Sequence, residues 1–91
     1  MLIDDGASTA LLRQGRSLLA AGITAVIGEF SEGAAVHVAD KTGKPIARGL
    51  VNYASSALNQ IKGCKSHEIT RILGRKDFDE VIHRDNLVVI R

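Results

Sequence analysis

The beginning of the chain shows the apolar spacing of a short amphipathic helix. The segment DGASTALLRQG places small and apolar side chains on one face. Asp4 or Asp5 can cap the first amides of this helix, and its negative charge interacts favourably with the positive end of the helix dipole. Gly15 can adopt the left-handed conformation that ends a helix. The residues predicted for the buried face are Ala7, Ala10 and Leu11.

Three strands are predicted in the next part of the chain. Residues 23–27 are a short apolar run, and residues 34–39 alternate between apolar and polar positions. The segment 40–45 has the composition of a turn, and residues 46–53 form the third strand. Gly49 lies inside that strand, where a glycine indicates a bulge or a bend.

Two short helices and a final strand region are predicted after these strands. Ser55 or Ser56 is expected to cap a helix at residues 57–62, and Ser66 a second helix at residues 67–73. A polar segment then leads to a last strand region. The order of helix, three strands, two helices and strand predicts an α+β fold, a compact pseudo-barrel of short strands with small flanking helices.

Gly22 ends an apolar connector between the first helix and the first predicted strand. We expect a tight turn with positive φ at this position, a conformation that glycine adopts without steric cost. On this reading Gly22 is structural, and a branched side chain there would strain the backbone.

Composition limits the class of protein. The chain has 91 residues, of which 45% are hydrophobic, and one cysteine, which suits a single domain in a reducing compartment. The N-terminus lacks the pattern of a signal peptide and no apolar run approaches a membrane span, so a soluble cytoplasmic protein is the expectation. The net charge of +2 and an aromatic content of 3% do not favour a base-stacking surface for single-stranded nucleic acid.

The triplet His83-Arg84-Asp85 matches the start of the catalytic loop of protein kinases, but its context is wrong. That loop requires an asparagine several residues after the aspartate to hold a metal ion. Here Asn86 follows at once, and no glycine-rich nucleotide loop lies upstream. We therefore interpret this segment as a polar turn between apolar runs.

Other patterns of catalytic or metal-binding residues are also incomplete. Cys64 and His67 have a two-ligand spacing but no second cysteine pair, so the sequence predicts no metal site. The carboxylates of the segment 75–80 lie among basic residues, which favours a solvated loop over acid–base catalysis. No combination of nucleophile, base and oxyanion donors is visible, so no catalytic or cofactor-binding residue is predicted.

Several stretches together resemble one known family. They are IDDGA, GRSLLAAG, IARGLVNYAS, EITRILG and EVIHRDNLV, and they cover almost the whole chain. The chain resembles the C-terminal PUA domains of the glutamate 5-kinase (gamma-glutamyl kinase) family, with residues 1–91 as the PUA domain. One departure is Ala20, where the family usually has a proline.

The resemblance implies an accessory domain of an enzyme that transfers the γ-phosphate of ATP to L-glutamate, in the first step of proline biosynthesis. The ATP, magnesium and glutamate sites would belong to an upstream amino-acid kinase domain that this chain does not contain. That kinase domain is the expected partner, the parent enzyme is expected to be a homo-oligomer, and the chain alone is expected to be non-catalytic.

The same resemblance implies an alternative function, since PUA domains of RNA-modifying enzymes bind RNA. Their contacts usually come from the first helix, the following glycine turn and the last strand. The corresponding positions in this chain are Arg13, Arg16, Gly22, His83 and Arg84. With few basic residues, we expect RNA binding to be weak or absent, and the regulatory role is favoured.

Overall fold

A five-stranded mixed sheet organises the part of the chain that the computed structural model describes, residues 1–90. The strands are β1 (Leu2–Ile3), β2 (Ile23–Ala25), β3 (Ala35–Ala39), β4 (Pro45–Leu50) and β5 (Leu87–Val89). The α-helices are α1 (Asp5–Gln14), α2 (Ser55–Ile61) and α3 (Ser66–Leu73), and short 3₁₀ turns occupy Ala20–Gly22 and Arg84–Asn86.

The strand order is β2-β1-β3-β4-β5. β1 lies parallel to β3, whereas the other neighbours are antiparallel. β1 was not predicted from the sequence, because it contains only two residues and is defined by its pairing with Ala25 and Ala39. Because β1 lies between β2 and β3, the beginning of the chain is within the sheet.

Helix α1 begins and ends as its sequence predicts. The Asp4 carboxylate accepts a hydrogen bond from the Ala7 amide at 2.8 Å, so Asp4 is the cap. Gly15 follows the helix with φ 60°, the left-handed conformation expected of a terminating glycine. Leu11 is buried, and this anchors the helix on the core.

The prediction that a serine caps helix α2 is wrong. Ser55 is the first residue of the helix and is buried, and Ala54 takes the capping position without a side-chain hydrogen bond. The Ser55 hydroxyl instead accepts from the Phe30 amide at 3.0 Å and donates to the Phe30 carbonyl at 3.2 Å. Its role is to tie the helix to the loop before β3.

Ser66 likewise does not cap α3, because it is the first residue of that helix. Lys65 holds the capping position, and its backbone amide donates to the Glu68 carboxylate at 3.2 Å. The carboxylate in the first turn therefore satisfies one of the free amides at the helix start.

The core lies between the sheet and the helices and contains buried aliphatic side chains from the three α-helices and from strands β1 to β4. The buried side chains form a hydrophobic core cluster. Its largest fully buried members are Ile3, Leu11, Leu18, Ile23, Val38, Val51, Leu58, Ile61, Ile69, Val81 and Ile82.

The bulge or bend that was expected at Gly49 is not there. Gly49 pairs regularly with Val36 and Leu87, while the irregularity in the β3–β4 ladder falls between Val38 and Ala39. A Cβ at Gly49 would lie 2.6 Å from the Asn86 carbonyl oxygen. Glycine is required because the Arg84–Asn86 turn packs directly on β4.

The segment after β4 holds the polar loop that precedes Val81. The Tyr53 hydroxyl donates to the Phe78 carbonyl and accepts from the Phe78 amide at 3.2 Å. The Asn52 amide side chain donates to the Glu80 carbonyl at 3.0 Å, and its backbone amide donates to the Val81 carbonyl at 2.8 Å. Two adjacent side chains thereby fix a loop that has no regular secondary structure.

Within residues 1–90, no helix has the length and apolar character needed to cross a membrane.

Candidate functional site

A groove of about 310 Å³ lies between α1 and the Ala20–Gly22 turn. Two of the five residues predicted to contact RNA, Arg16 and Gly22, lie on its wall. Its other lining is mostly small and apolar, with one carboxylate. The lining includes Asp4, Ala7, Arg16 and Gly22.

Gly22 is structural, but not for the predicted reason. It does not have positive φ; the glycines with positive φ lie elsewhere in the chain. Its carbonyl accepts from the Asp4 amide at 3.0 Å, which holds the turn against the start of α1. A Cβ at Gly22 would lie 2.5 Å from the Ala7 Cβ, so the helix and the turn can approach this closely only with glycine.

The segments that carry Arg16 and Arg84 are adjacent in the fold. Leu18 and Ile82 form an antiparallel bridge, with a Leu18 amide to Ile82 carbonyl distance of 2.9 Å. Beside this bridge the Ser17 hydroxyl accepts from the Arg84 amide at 2.8 Å. No sequence motif marks Ser17 as a contact residue, because its partner lies 67 residues further along the chain.

Arg13 and His83 are less closely associated with the groove. Arg13 is exposed in the last turn of α1 and does not line the groove. His83 precedes the Arg84–Asn86 turn, where its Nδ1 accepts from the Asp85 amide at 3.1 Å. The structure thus brings Arg16, Gly22 and the backbone of Arg84 into one region, with Arg13 and His83 at its periphery.

Negative charge offsets part of the positive charge in this region. The Asp85 carboxylate lies 4.0 Å from Arg84 Nε. Asp4 contributes a second carboxylate to the groove. Exposed pairs of this kind are screened by water and add little stability, but they reduce the attraction of the region for phosphate.

Asp40, a side chain whose pKa is displaced, lies outside this region. Hydrogen bonds from the Thr42 hydroxyl, and then from the Lys44 and Thr42 amides, hold the pKa of Asp40 below its ordinary value. Asp40 therefore has a structural role in the turn between β3 and β4.

Metal-ligating side chains do not cluster in residues 1–90: no group of three or more His, Cys, Asp or Glu residues is placed to hold an ion. Cys64 is a half-buried free cysteine in the connection between α2 and α3. The carboxylates of the 75–80 loop form exposed ion pairs, Arg75 with Asp77 at 3.2 Å and Lys76 with Asp79 at 2.8 Å. This is the solvated arrangement that the sequence predicted.

Two solved structures have the same fold. One is a PUA domain from Aeropyrum pernix K1, with a TM-score of 0.64 and 26% identity over 90% of this chain and 39% of that chain. The other is a PUA domain protein from Thermoplasma acidophilum, with a TM-score of 0.63 and 23% identity over 90% of this chain and 46% of that one. The fold is therefore an α+β fold of the PUA class, as predicted.

The PUA family profile matches residues 1–73, and this chain belongs to the PUA domain family. Curated relatives include the glutamate 5-kinases of Caldanaerobacter subterraneus, 53% identical over 90 residues, and of a Synechococcus strain, 54% identical over 90 residues. In both cases the match covers 99% of this chain and 24% of the relative. The chain thus spans about a quarter of the length of these relatives, and the predicted resemblance is confirmed.

Proposed function

We propose that this chain is the C-terminal accessory domain of a glutamate 5-kinase and that it tunes the activity of the kinase domain. The observation that carries the proposal is the 53% identity over 90 residues with a C-terminal quarter of such an enzyme. At this level of identity, and with nearly complete coverage of the chain, the relationship extends beyond the shared PUA fold.

The proposed parent enzyme phosphorylates L-glutamate with ATP in the first step of proline biosynthesis. ATP and magnesium would bind in the amino-acid kinase domain, which is also the proposed partner of this chain. The parent would be a homo-oligomer in the cytoplasm. An accessory domain without catalytic groups can alter activity only through contacts that differ between the states of its partner.

Contacts between segments that are distant in the sequence support the proposal that this chain is a self-contained domain. The motif NY at residues 52 and 53 fixes the loop before Val81, and Gly49 accommodates the Arg84–Asn86 turn. Two of the stretches that resemble the glutamate 5-kinase family, IARGLVNYAS and EVIHRDNLV, therefore interact with each other in the fold. His83, Arg84 and Asp85 act structurally in this account, as part of a turn and not of a catalytic loop.

A coupled assay of ATP-dependent glutamate phosphorylation tests where catalysis resides. We expect no turnover from the 91-residue chain, and turnover from a glutamate 5-kinase from which this segment has been deleted. Turnover by the isolated chain that survives repurification would contradict the proposal, as would a truncated but folded enzyme without any activity.

RNA binding is a second candidate function, favoured by one observation. The hydrogen bond from the Arg84 amide to Ser17 brings together the segments of Arg16 and Arg84 beside the groove that Gly22 lines. With three arginines at most and neighbouring carboxylates, we expect a dissociation constant of roughly 10⁻⁴ to 10⁻⁶ M, typical of non-specific association.

Titration of labelled tRNA at two salt concentrations tests this second function. Each phosphate neutralised should contribute about −0.7 to −0.9 to the slope of log affinity against log salt. Arg16→Glu should weaken any binding, whereas Arg71→Glu, on α3 and ion-paired with Glu68, is the control. Tight binding that neither salt nor Arg16→Glu reduces would show that the arginine region is not the RNA site.

A further inference from the structure

A second groove, of about 560 Å³, lies where the chain begins and is separate from the groove beside α1. It is lined mainly by apolar side chains, and among its lining residues only His37, which is exposed, has a titratable side chain. We call it the N-terminal groove; its main lining residues are Met1, Leu2, Ile27, Phe30, Val36 and His37.

Ile27 is an unusually exposed apolar residue in the lining of the N-terminal groove. Its side chain is 66% exposed, the largest fraction among the exposed large hydrophobic residues within 1–90. Phe30 and Val36 are half-buried and pack against the core. Contiguous exposed apolar surface of this kind marks a binding surface more often than a single exposed aliphatic side chain does.

The backbone around the N-terminal groove is fixed. Phe30 is held by the Ser55 hydroxyl and by the Ser55 amide, which donates to the Phe30 carbonyl at 3.0 Å. Met1 is held on β3: its nitrogen donates to the His37 carbonyl at 2.8 Å, and its carbonyl accepts from the Ala39 amide at 2.8 Å. A surface ordered in advance binds with a smaller entropic cost.

The bond from the Met1 nitrogen also fixes where a preceding residue would lie. An amide N–H can donate to His37 in the same way, so a longer chain can keep this geometry. In the glutamate 5-kinase relatives this chain matches the C-terminal 24%, so most of their length precedes the matched segment. A preceding domain would therefore join this one beside Ile27 and Phe30.

We infer that the N-terminal groove is the docking surface for the amino-acid kinase domain that precedes this segment, with Ile27 seated in an apolar contact. The inference rests on the proposed function and names the surface through which the two domains are coupled. Its occupant is the kinase part of the same polypeptide, because the covalent connection gives that part a high effective concentration at the groove.

The outward face of β4 and β5 is the strongest competing surface. It exposes Leu50, Val88 and Ile90, with the charged Arg48 among them. No chain connection leads to this face from Met1, and Arg48 would need a partner if it were buried. Val88 therefore provides a matched control for Ile27, since its side chain is 58% exposed.

Hydrogen exchange in a full-length glutamate 5-kinase that carries this segment tests the inference. The exposed amides of residues 27–29 should exchange at least tenfold more slowly in the full-length enzyme than in the 91-residue chain, whereas residues 84–86 should exchange equally in both. Ile27→Lys should restore fast exchange at residues 27–29, and Val88→Lys should not. In the 91-residue chain each substitution should shift Tm by no more than about 4 °C, because each affects an exposed side chain.

Equal exchange at residues 27–29 in the two proteins would overturn the inference, as would protection confined to residues 84–86. Protection in the 91-residue chain that rises with its concentration would also overturn it, since the occupant would then be a second copy. The proposed function is tested separately by deletion. If deletion alters the enzyme while Ile27→Lys leaves exchange unchanged, the docking surface is wrong and the accessory role stands.

Discussion

The close approach of Gly22 to Ala7 can be tested through stability, by moving a single methyl group from one of these residues to the other. In Gly22→Ala the new Cβ would lie 2.5 Å from the Ala7 Cβ, whereas carbon atoms in contact normally lie about 3.5–4.0 Å apart. The helix and the turn must therefore move apart. Overpacking of this kind costs about 1–3 kcal/mol, and each kcal/mol lowers Tm by about 4–8 °C in a domain of this size.

Ala7→Gly in the same chain should remove the clash. The new Cβ at position 22 would then meet the Cα of residue 7 at 3.7 Å, an ordinary contact. Ala7→Gly alone should cost roughly 1–2 kcal/mol, from helix propensity and the lost methyl contact. We expect the double variant to be no less stable than Gly22→Ala, which corresponds to a favourable coupling of at least about 1 kcal/mol.

Urea unfolding followed by circular dichroism gives the free energies of unfolding for this cycle. Gly6→Ala is the control, because its Cβ would meet only an Asp4 carboxylate oxygen at 3.5 Å and it lies within α1. It should stabilise the chain by about 0.5–1 kcal/mol. Additive effects of Gly22→Ala and Ala7→Gly, within about 0.5 kcal/mol, would refute the close-approach explanation.

Three further predictions concern other contacts of the fold. Gly49→Ala should lower the free energy of unfolding by about 1–3 kcal/mol, because its Cβ would meet the turn at 2.6 Å; an unchanged urea midpoint would contradict this. Tyr53→Phe should cost about 1–3 kcal/mol and speed hydrogen exchange at Phe78, and unchanged exchange there would show that the hydroxyl does not hold the loop. Thr42→Val should raise the pKa of Asp40 toward its ordinary value in an NMR titration, whereas Thr42→Ser should not. Because the pKa of Asp40 is lowered by folding, its contribution to stability is present above its unfolded-state pKa and is lost as pH falls through its folded-state pKa.

Local signals in the sequence predicted the local features of the fold. The start and end of α1 follow from Asp4 and Gly15, whose effects depend only on neighbouring residues. The prediction of a cap at Ser55 was wrong for the opposite reason. Ser55 is engaged by Phe30, a residue in another part of the chain, and tertiary contacts override local capping preferences.

The glycines also divide into one that local sequence explains and two that tertiary contacts explain. Gly15 was predicted from helix termination alone, but the requirement for Gly22 comes from Ala7 and that for Gly49 from Asn86. A close approach between distant segments cannot be recognised from the sequence, because only the glycine itself indicates it. The conformational reason assigned to Gly22 was therefore wrong, although its structural role was predicted.

The candidate site was only partly predictable. The resemblance to PUA domains supplied Arg16 and Gly22, which share the groove beside α1. Ser17 could not be selected from sequence alone, because its bond to the Arg84 amide lies beside the bridge between Leu18 and Ile82. The N-terminal groove was also missed, because its lining comes from three separate segments, one of which includes part of the two-residue strand β1.

Proline inhibition of glutamate phosphorylation tests the accessory role most directly. The measurement compares intact enzyme, enzyme that lacks this segment, and truncated enzyme with the 91-residue chain added in trans. We predict that the truncated enzyme still phosphorylates glutamate, with a half-inhibitory proline concentration or an apparent KM for glutamate changed severalfold, and that excess chain partly reverses the change. Identical activity and proline inhibition in the intact and truncated enzymes would contradict the claim that this domain tunes the kinase.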